Sequence, residues 1–281
     1  MIEINRNERY INKFESIDEL LNYITTKPRK PGRNNSSNEE DYGFYKTKNF
    51  NEAVELLRHG DDELFKKISN EKSKIKIETL LGNARNRQQY FNDVSGFMPN
   101  VANYMTGNPK NMINVRKNGI SQKVVNIFLN IRVPGGVSAD EVIRIGSKYI
   151  SIIDLLEKNG YRCNLYSGVA NQNSAGTKHC VMMVRVKSDR EPLNIRKLSF
   201  ALAHPSMQRR IKFKWMEVND YDYDFTNGYG QKENEYYLNE MLNKEFKDNF
   251  IVWNYELNNR AITIEEITKD LKNKFNINIE L

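Results

Sequence analysis

The run from Val124 to Ser167 constrains the chain more than any other stretch, because it reads as strand, turn, helix and strand in succession. Val124 to Val133 (VVNIFLNIRV) is β-branched and apolar, as a strand covered on both faces must be. Pro134, Gly135 and Gly136 then turn the chain, and Ser138 stands where a helix N-cap belongs. Val142, Ile143, Tyr149, Ile150, Ile153, Leu155 and Leu156 recur at three and four, which predicts a helix over Ala139–Asn159. Gly160 ends it, and Tyr161 to Ser167 alternates as a second strand.

The pattern continues past that unit. A polar hairpin loop, Asn171 to Thr177, leads into a third strand over Cys180–Val186, then a helix over Leu193–Ala203 and a fourth strand over Arg210–Val218. This order predicts an α/β fold, a mixed sheet flanked by helices, with a helical N-terminal subdomain before it. Two architectures fit the order, a ferredoxin-like split unit and a degenerate von Willebrand A-like sheet, and periodicity does not separate them.

Composition shifts divide the chain into four parts. Residues 1–95 read as the helical subdomain. Ser16 and Glu19 form a capping box before an apolar stripe, and a second helix begins near Asn51 and stops at Gly60. A charged amphipathic stretch runs from Asp62 to Arg87. Lys27 to Asp41, with two prolines, a glycine and the basic residues Lys27, Arg29, Lys30 and Arg33, reads as a mobile solvated loop. Residues 96–119 read as an ordered connector that packs on the next domain through Phe97, Val101, Tyr104, Met105 and Met112. Residues 120–218 are the central domain, and 219–281 an aromatic extension, helical to residue 274 with a short strand at Phe275–Leu281.

Chemistry-bearing motifs are sparse. Cys163 and Cys180 fall on strands and form neither a disulfide framework nor a zinc site. His179 and Cys180 are neighbours, so on a strand they face opposite ways and cannot pair as base and nucleophile. His59 ends a helix, where a cation meets the favourable end of the dipole, and His204, before Pro205, reads as a helix C-terminal cap. Asp222 and Asp224 are spaced like two calcium ligands, but the rest of an EF-hand loop is missing. VPGGVSAD sets a glycine pair beside a helix N-terminus, a geometry that holds anions, yet it lacks the spacing and Lys of a P-loop. In a von Willebrand A-like sheet the same loop would carry the metal motif. Here Asn130, Ile131 and Arg132 stand there, so no metal and no cofactor is expected.

The charge balance points elsewhere. With 43 basic and 36 acidic residues the net charge is +7, a surplus that attracts nucleic acid or an acidic partner. The densest basic stretch is SMQRRIKFKWMEV, where Ile211, Phe213 and Trp215 alternate with Arg210, Lys212 and Lys214. On a strand this buries one face and presents a basic row on the other, joined by Arg196, Lys197 and Arg209. The N-terminus has no apolar signal region and no apolar run reaches the ~18 residues of a membrane span, so a cytoplasmic location without membrane contact is expected.

DYGFYKTKNFNEAVELLRHG, GFMPNVANYMTGNPKNM, DLLEKNGYRCNLY and PLNIRKLSFALAHPSMQRRIKF, followed by GYG, together resemble a family of uncharacterised proteins encoded mainly by bacteriophages and prophages. The resemblance covers about residues 14–230. It implies a viral protein acting in the host cytoplasm or assembled into a virion, and it carries no activity or functional residues. The leading expectation is a non-enzymatic phage accessory protein that binds nucleic acid through Arg196, Lys197, Arg209, Arg210, Lys212 and Lys214. The alternative is a module that binds a phage or host protein, or assembles a virion, through a metal-free von Willebrand A-like sheet. An enzyme ranks third.

Overall fold

Cys180, Met182 and Val184 pack into one hydrophobic cluster while Val181 and Met183 pack into another, so the strand that carries them is buried on both faces. That pattern requires helices on both sides of a sheet. The computed structural model describes residues 1–6, 8–74, 88–117, 124–158, 161–219, 231–247, 250–257, 260–261, 269 and 271–273.

In chain order the first elements are β1 (Ile2–Arg6), β2 (Arg9–Phe14), α1 (Ile17–Thr26), α2 (Tyr42–Tyr45), α3 (Phe50–His59) and α4 (Asp62–Lys74). They are followed by β3 (Gln88–Asp93), β4 (Met98–Pro99), α5 (Val101–Met105) and β5 (Met112–Lys117). Next come β6 (Val124–Asn130), α6 (Ala139–Lys158), β7 (Arg162–Gln172), β8 (His179–Lys187) and α7 (Ile195–Ala203). A π-helical stretch, Met207–Lys212, runs into α8 (Phe213–Val218). After β9 (Gln231–Lys232) come α9 (Glu235–Phe246), β10 (Phe250–Asn254) and a small hairpin of β11 (Glu256–Leu257) with β12 (Arg260–Ala261).

The chain divides into two compact units, Met1–Glu78 with Val124–Leu281, and Thr79–Lys123. In the first, the sheet order is β1-β2-β8-β7-β6-β10, with β9 joined to β7. Pairings β2–β8, β6–β7 and β6–β10 are parallel, while β1–β2, β7–β8 and β7–β9 are antiparallel. The mixed sheet flanked by helices is therefore the α/β fold read from the sequence. Helix α9 covers one face of it, through Leu238, Met241 and Leu242. Helices α1, α3, α4, α6, α7 and α8 contribute to the larger core on the other face.

Four expectations need correction. β6 and β7 pair directly, from Val124 opposite Arg162 to Asn130 opposite Gly168, so no strand splits the crossover and the ferredoxin-like arrangement is not formed. Arg210–Val218 is helical rather than a strand. The N-terminal segment is not all helical: β1 and β2 form a hairpin, and β2 joins the central sheet beside β8. Phe250–Asn254, expected within a helical stretch, is the strand beside β6.

Local signals explain most helix ends. Ser16 caps α1 by accepting from Glu19 N, and the Glu19 carboxylate accepts from Glu15 N. Gly60 ends α3 with φ +88°, a conformation that disfavours any side chain. Lys27–Asp41 is not a free solvated loop. Ser37 is buried, donating its backbone N–H to the Glu217 carboxylate at 2.9 Å and its hydroxyl at 2.5 Å, and Lys30 N donates to Glu217 O. The ends of the Asp62–Arg87 helix and the Phe275–Leu281 strand, like Asp222 and Asp224, lie outside the described residues.

In the second unit β3, β5 and β4 form an antiparallel sheet in that order, with α5 between β4 and β5 in the chain. None of its described side chains is buried. Phe97, Val101, Tyr104 and Met105 are 62–78% exposed.

Candidate functional site

Arg209, Arg210 and Lys212 do not form an exposed row, because a π-helical turn closes i→i+5 and sends its side chains around all sides of the segment. All six residues Met207–Lys212 are buried. Arg210 spans to the N-terminal segment, donating from Nε to Thr47 Oγ1 at 2.7 Å, from Nη1 to Ser37 O at 2.8 Å and from Nη2 to Thr47 O at 2.9 Å. It also stacks 4.1 Å from the centre of the Tyr45 ring. Arg209 lies 3.9 Å over the Phe44 ring and donates to Phe44 O and Val137 O. Burial lowers the pKa of both guanidiniums, which nonetheless stay charged at any physiological pH.

The other three residues of the expected surface lie elsewhere. Arg196 is paired with Asp62 at 2.6 Å, and Lys197 lines a 490 Å³ cleft. Lys214 is half-buried, with its ammonium 6.0 Å from the Phe50 ring centre. The cleft is electrostatically mixed: Arg185 pairs there with Glu15 at 2.9 Å and Arg58 faces Asp18 at 3.8 Å.

Lys212 points to a different place. It is 1% exposed, and among the described residues its ammonium makes one hydrogen bond, to Asn171 Oδ1 at 3.2 Å. Among the described residues no carboxylate lies within 4 Å of it or of Arg209. Burial drives its pKa well below the ordinary lysine value, and the Arg132 guanidinium pushes the same way. Lys212 lines a 170 Å³ cavity with Phe44, Arg132, Val133, Pro134, Gly135, Gln208, Arg209 and Phe213. Among the described residues, three cations and no acidic residue line that wall.

The fold builds this cavity from both ends of the sheet sequence. β6 ends at Asn130, and the loop that follows, before α6, supplies Arg132 and Pro134–Gly135. Gln208 clamps that loop, accepting from Val133 N at 3.1 Å and donating to Val133 O at 2.7 Å. Asn171, at the end of β7, accepts from Arg132 Nε at 3.1 Å as well as from Lys212, and its own buried Nδ2 has no partner. The site thus lies outside the carboxyl end of a parallel strand beside a βα loop, where open α/β sheets place ligands. The glycine pair after β6, Gly135 and Gly136, was legible in the sequence as anion-holding geometry. Asn171 was not singled out, because nothing local marks a residue whose partners are 39 and 41 positions away.

The remaining chemistry-bearing residues stand apart. His179 faces away from Cys180, its Nδ1 2.5 Å from the buried Glu233 carboxylate and its ring tilted on Tyr237. Cys163 and Cys180 are buried, and burial pushes the Cys163 thiol up to about 12 and the Cys180 thiol higher. His204 caps α7, stacks on Phe200 and accepts from Ser206 N. Among the described residues no group of three His, Cys, Asp or Glu side chains could hold a metal, and no helix is long and apolar enough to cross a membrane.

No curated protein and no solved structure matches the chain. A family model does match, over residues 3–277, and the chain belongs to that family, the domain of unknown function DUF7192.

Proposed function

We propose that the protein is a binding protein for an anionic group, a phosphoryl or carboxylate group of a larger ligand, held in the cavity between the β6–α6 loop and Lys212. One observation carries this reading: Lys212 is buried without a carboxylate among the described residues, beside a cavity that Arg132 and Arg209 also line. A buried ammonium with donors to spare is unfavourable unless something compensates it. An anion in the cavity would accept from Lys212, and the unpartnered Asn171 Nδ2 nearby would supply a further donor. A volume of 170 Å³ accommodates one such group rather than a whole cofactor, for which pockets of about 300–1,000 Å³ are usual.

The nucleic-acid expectation takes a narrower form here. Arg209, Arg210 and Lys212 offer no continuous surface to a phosphate backbone, whereas a terminal phosphate would enter the cavity as any phosphomonoester does. Calorimetric titration with inorganic phosphate, a phosphomonoester, and a 5′-phosphorylated oligonucleotide beside its 5′-hydroxyl twin tests the reading. Binding of phosphate that is lost in Lys212→Met supports it. Equal binding of both oligonucleotides, unchanged by that substitution, would sink it.

A further inference from the structure

A lysine amine is a nucleophile as well as a charge, and burial beside another cation is what brings that reactivity out. Lys212 meets both conditions, since it is 1% exposed and Arg132 lines the same cavity. Among the described residues its nitrogen meets one acceptor, Asn171 Oδ1 at 3.2 Å. An ammonium there leaves two N–H groups unanswered, whereas a neutral amine leaves one and keeps a lone pair. Burial and the Arg132 guanidinium both favour that neutral form. The surroundings hold the nitrogen in place. Asn171 Oδ1 also accepts from Arg132 Nε at 3.1 Å, so one oxygen sets the amine and a guanidinium side by side. Arg209, on the same cavity wall, is anchored on Phe44 O and Val137 O.

We infer that Lys212 forms an imine with a short 2-oxo acid whose carboxylate rests against Arg132 and Arg209. This inference rests on the anion-site reading and adds the second functional group of the ligand. A cavity of 170 Å³ admits a short chain, and a carbonyl adjoining the carboxylate suits an amine adjoining a guanidinium. In the bond-forming step the Nζ lone pair attacks the carbonyl carbon. The carbonyl π electrons move to oxygen, which takes one proton from the nitrogen. The carbinolamine then loses that oxygen as water, with the second nitrogen-bound hydrogen, and a C=N bond remains. No oxidant or reductant is consumed. The carboxylate offsets the charge of the imine once it is protonated.

Reductive trapping of the full chain with pyruvate and sodium cyanoborohydride, followed by peptide mass mapping, tests the inference. Hydride reduces the imine to a secondary amine, so the modified lysine gains the mass of one pyruvate less one oxygen. Lys212 should be labelled at least about tenfold faster than any exposed lysine, and tenfold faster by pyruvate than by acetone, which lacks the carboxylate. The exposed lysines of the same sample are the internal control, so the result does not depend on a variant that folds. Labelling spread over exposed lysines with Lys212 unmodified overturns the inference. So do equal rates at Lys212 with pyruvate and acetone. The anion-site reading survives either failure, because its readout is phosphate affinity in the calorimeter.

Discussion

Replacing Lys212 with Met should raise stability and abolish anion binding together. The ammonium is 1% exposed and, among the described residues, makes one hydrogen bond, to Asn171 Oδ1. Exchanging buried ion pairs for apolar side chains of similar volume is often neutral or gains about 1–4 kcal/mol, and a buried ammonium without a carboxylate among the described residues carries the same desolvation penalty. Against this stands one lost hydrogen bond, about 1 kcal/mol. Asn171 Oδ1 is not orphaned, because Arg132 Nε still donates to it at 3.1 Å. The net gain is therefore about 0–3 kcal/mol, and each kcal/mol raises Tm by roughly 2–4 °C in a domain of this size. Urea denaturation with and without phosphate gives both readouts. At a phosphate concentration one hundred times Kd the wild type gains about 2.7 kcal/mol and the variant nothing. The pH dependence supplies an independent check. The native Lys212 releases its proton at lower pH than the unfolded chain does, so wild-type stability rises with pH until the unfolded lysine also titrates, near 10.5. The variant lacks that slope. A Lys212→Met protein less stable than wild type by more than about 1 kcal/mol would refute the reasoning, because Lys212 would then be a stabilising part of the core.

Three further outcomes follow from the packing. Burial lowers the pKa of His204 to about 3 despite the Asp61 carboxylate 3.8 Å from Nε2, so below pH 6.5 the unfolded chain takes up a proton that the native one refuses. Stability should fall by up to about 1.4 kcal/mol per pH unit from 6.5 toward 3, and His204→Asn, which keeps an acceptor for Ser206 N, should flatten that limb in acid denaturation. Arg210→Met should destabilise by about 3 kcal/mol or more in urea, since it leaves the Ser37 and Thr47 carbonyls without their buried donor. Gly146→Ala should cost about 1–3 kcal/mol by calorimetry, because a Cβ there would sit 2.5 Å from the Ala203 Cα and press α6 off α7.

The parts of the fold legible in the sequence were those whose burial leaves no choice of period. β6, α6, β7 and β8 are apolar on both faces or at strict helical spacing, and they lie close to where the pattern puts them. Short elements were not legible. β1 and β2 hold few apolar residues, and β10 (FIVWN) is five residues long, too short for periodicity to separate strand from helix. Ile211, Phe213 and Trp215 alternate well enough to suggest a strand, but all three are helical, and alternation between apolar and basic residues reports exposure only when the basic ones reach water. Here they do not. The glycine turn of the candidate site was visible locally, whereas Asn171, Gln208 and Lys212 acquire a role only when β7 and the π-helical turn meet the loop after β6.

The contrast between Arg210 and Lys212 separates structure from function within one helical turn. Both are buried completely, two residues apart, and both carry charge into the core. Arg210 finds three acceptors, on Ser37 and Thr47, and stacks on Tyr45, which accounts for a buried guanidinium as a clasp between the N-terminal segment and the central domain. Among the described residues Lys212 finds one acceptor, beside another cation and a cavity. A side chain needed only for packing there would be served better by Met or Leu, with no desolvation penalty. The ammonium makes physical sense where its remaining donors meet a ligand, and the ligand that best offsets its burial is negatively charged.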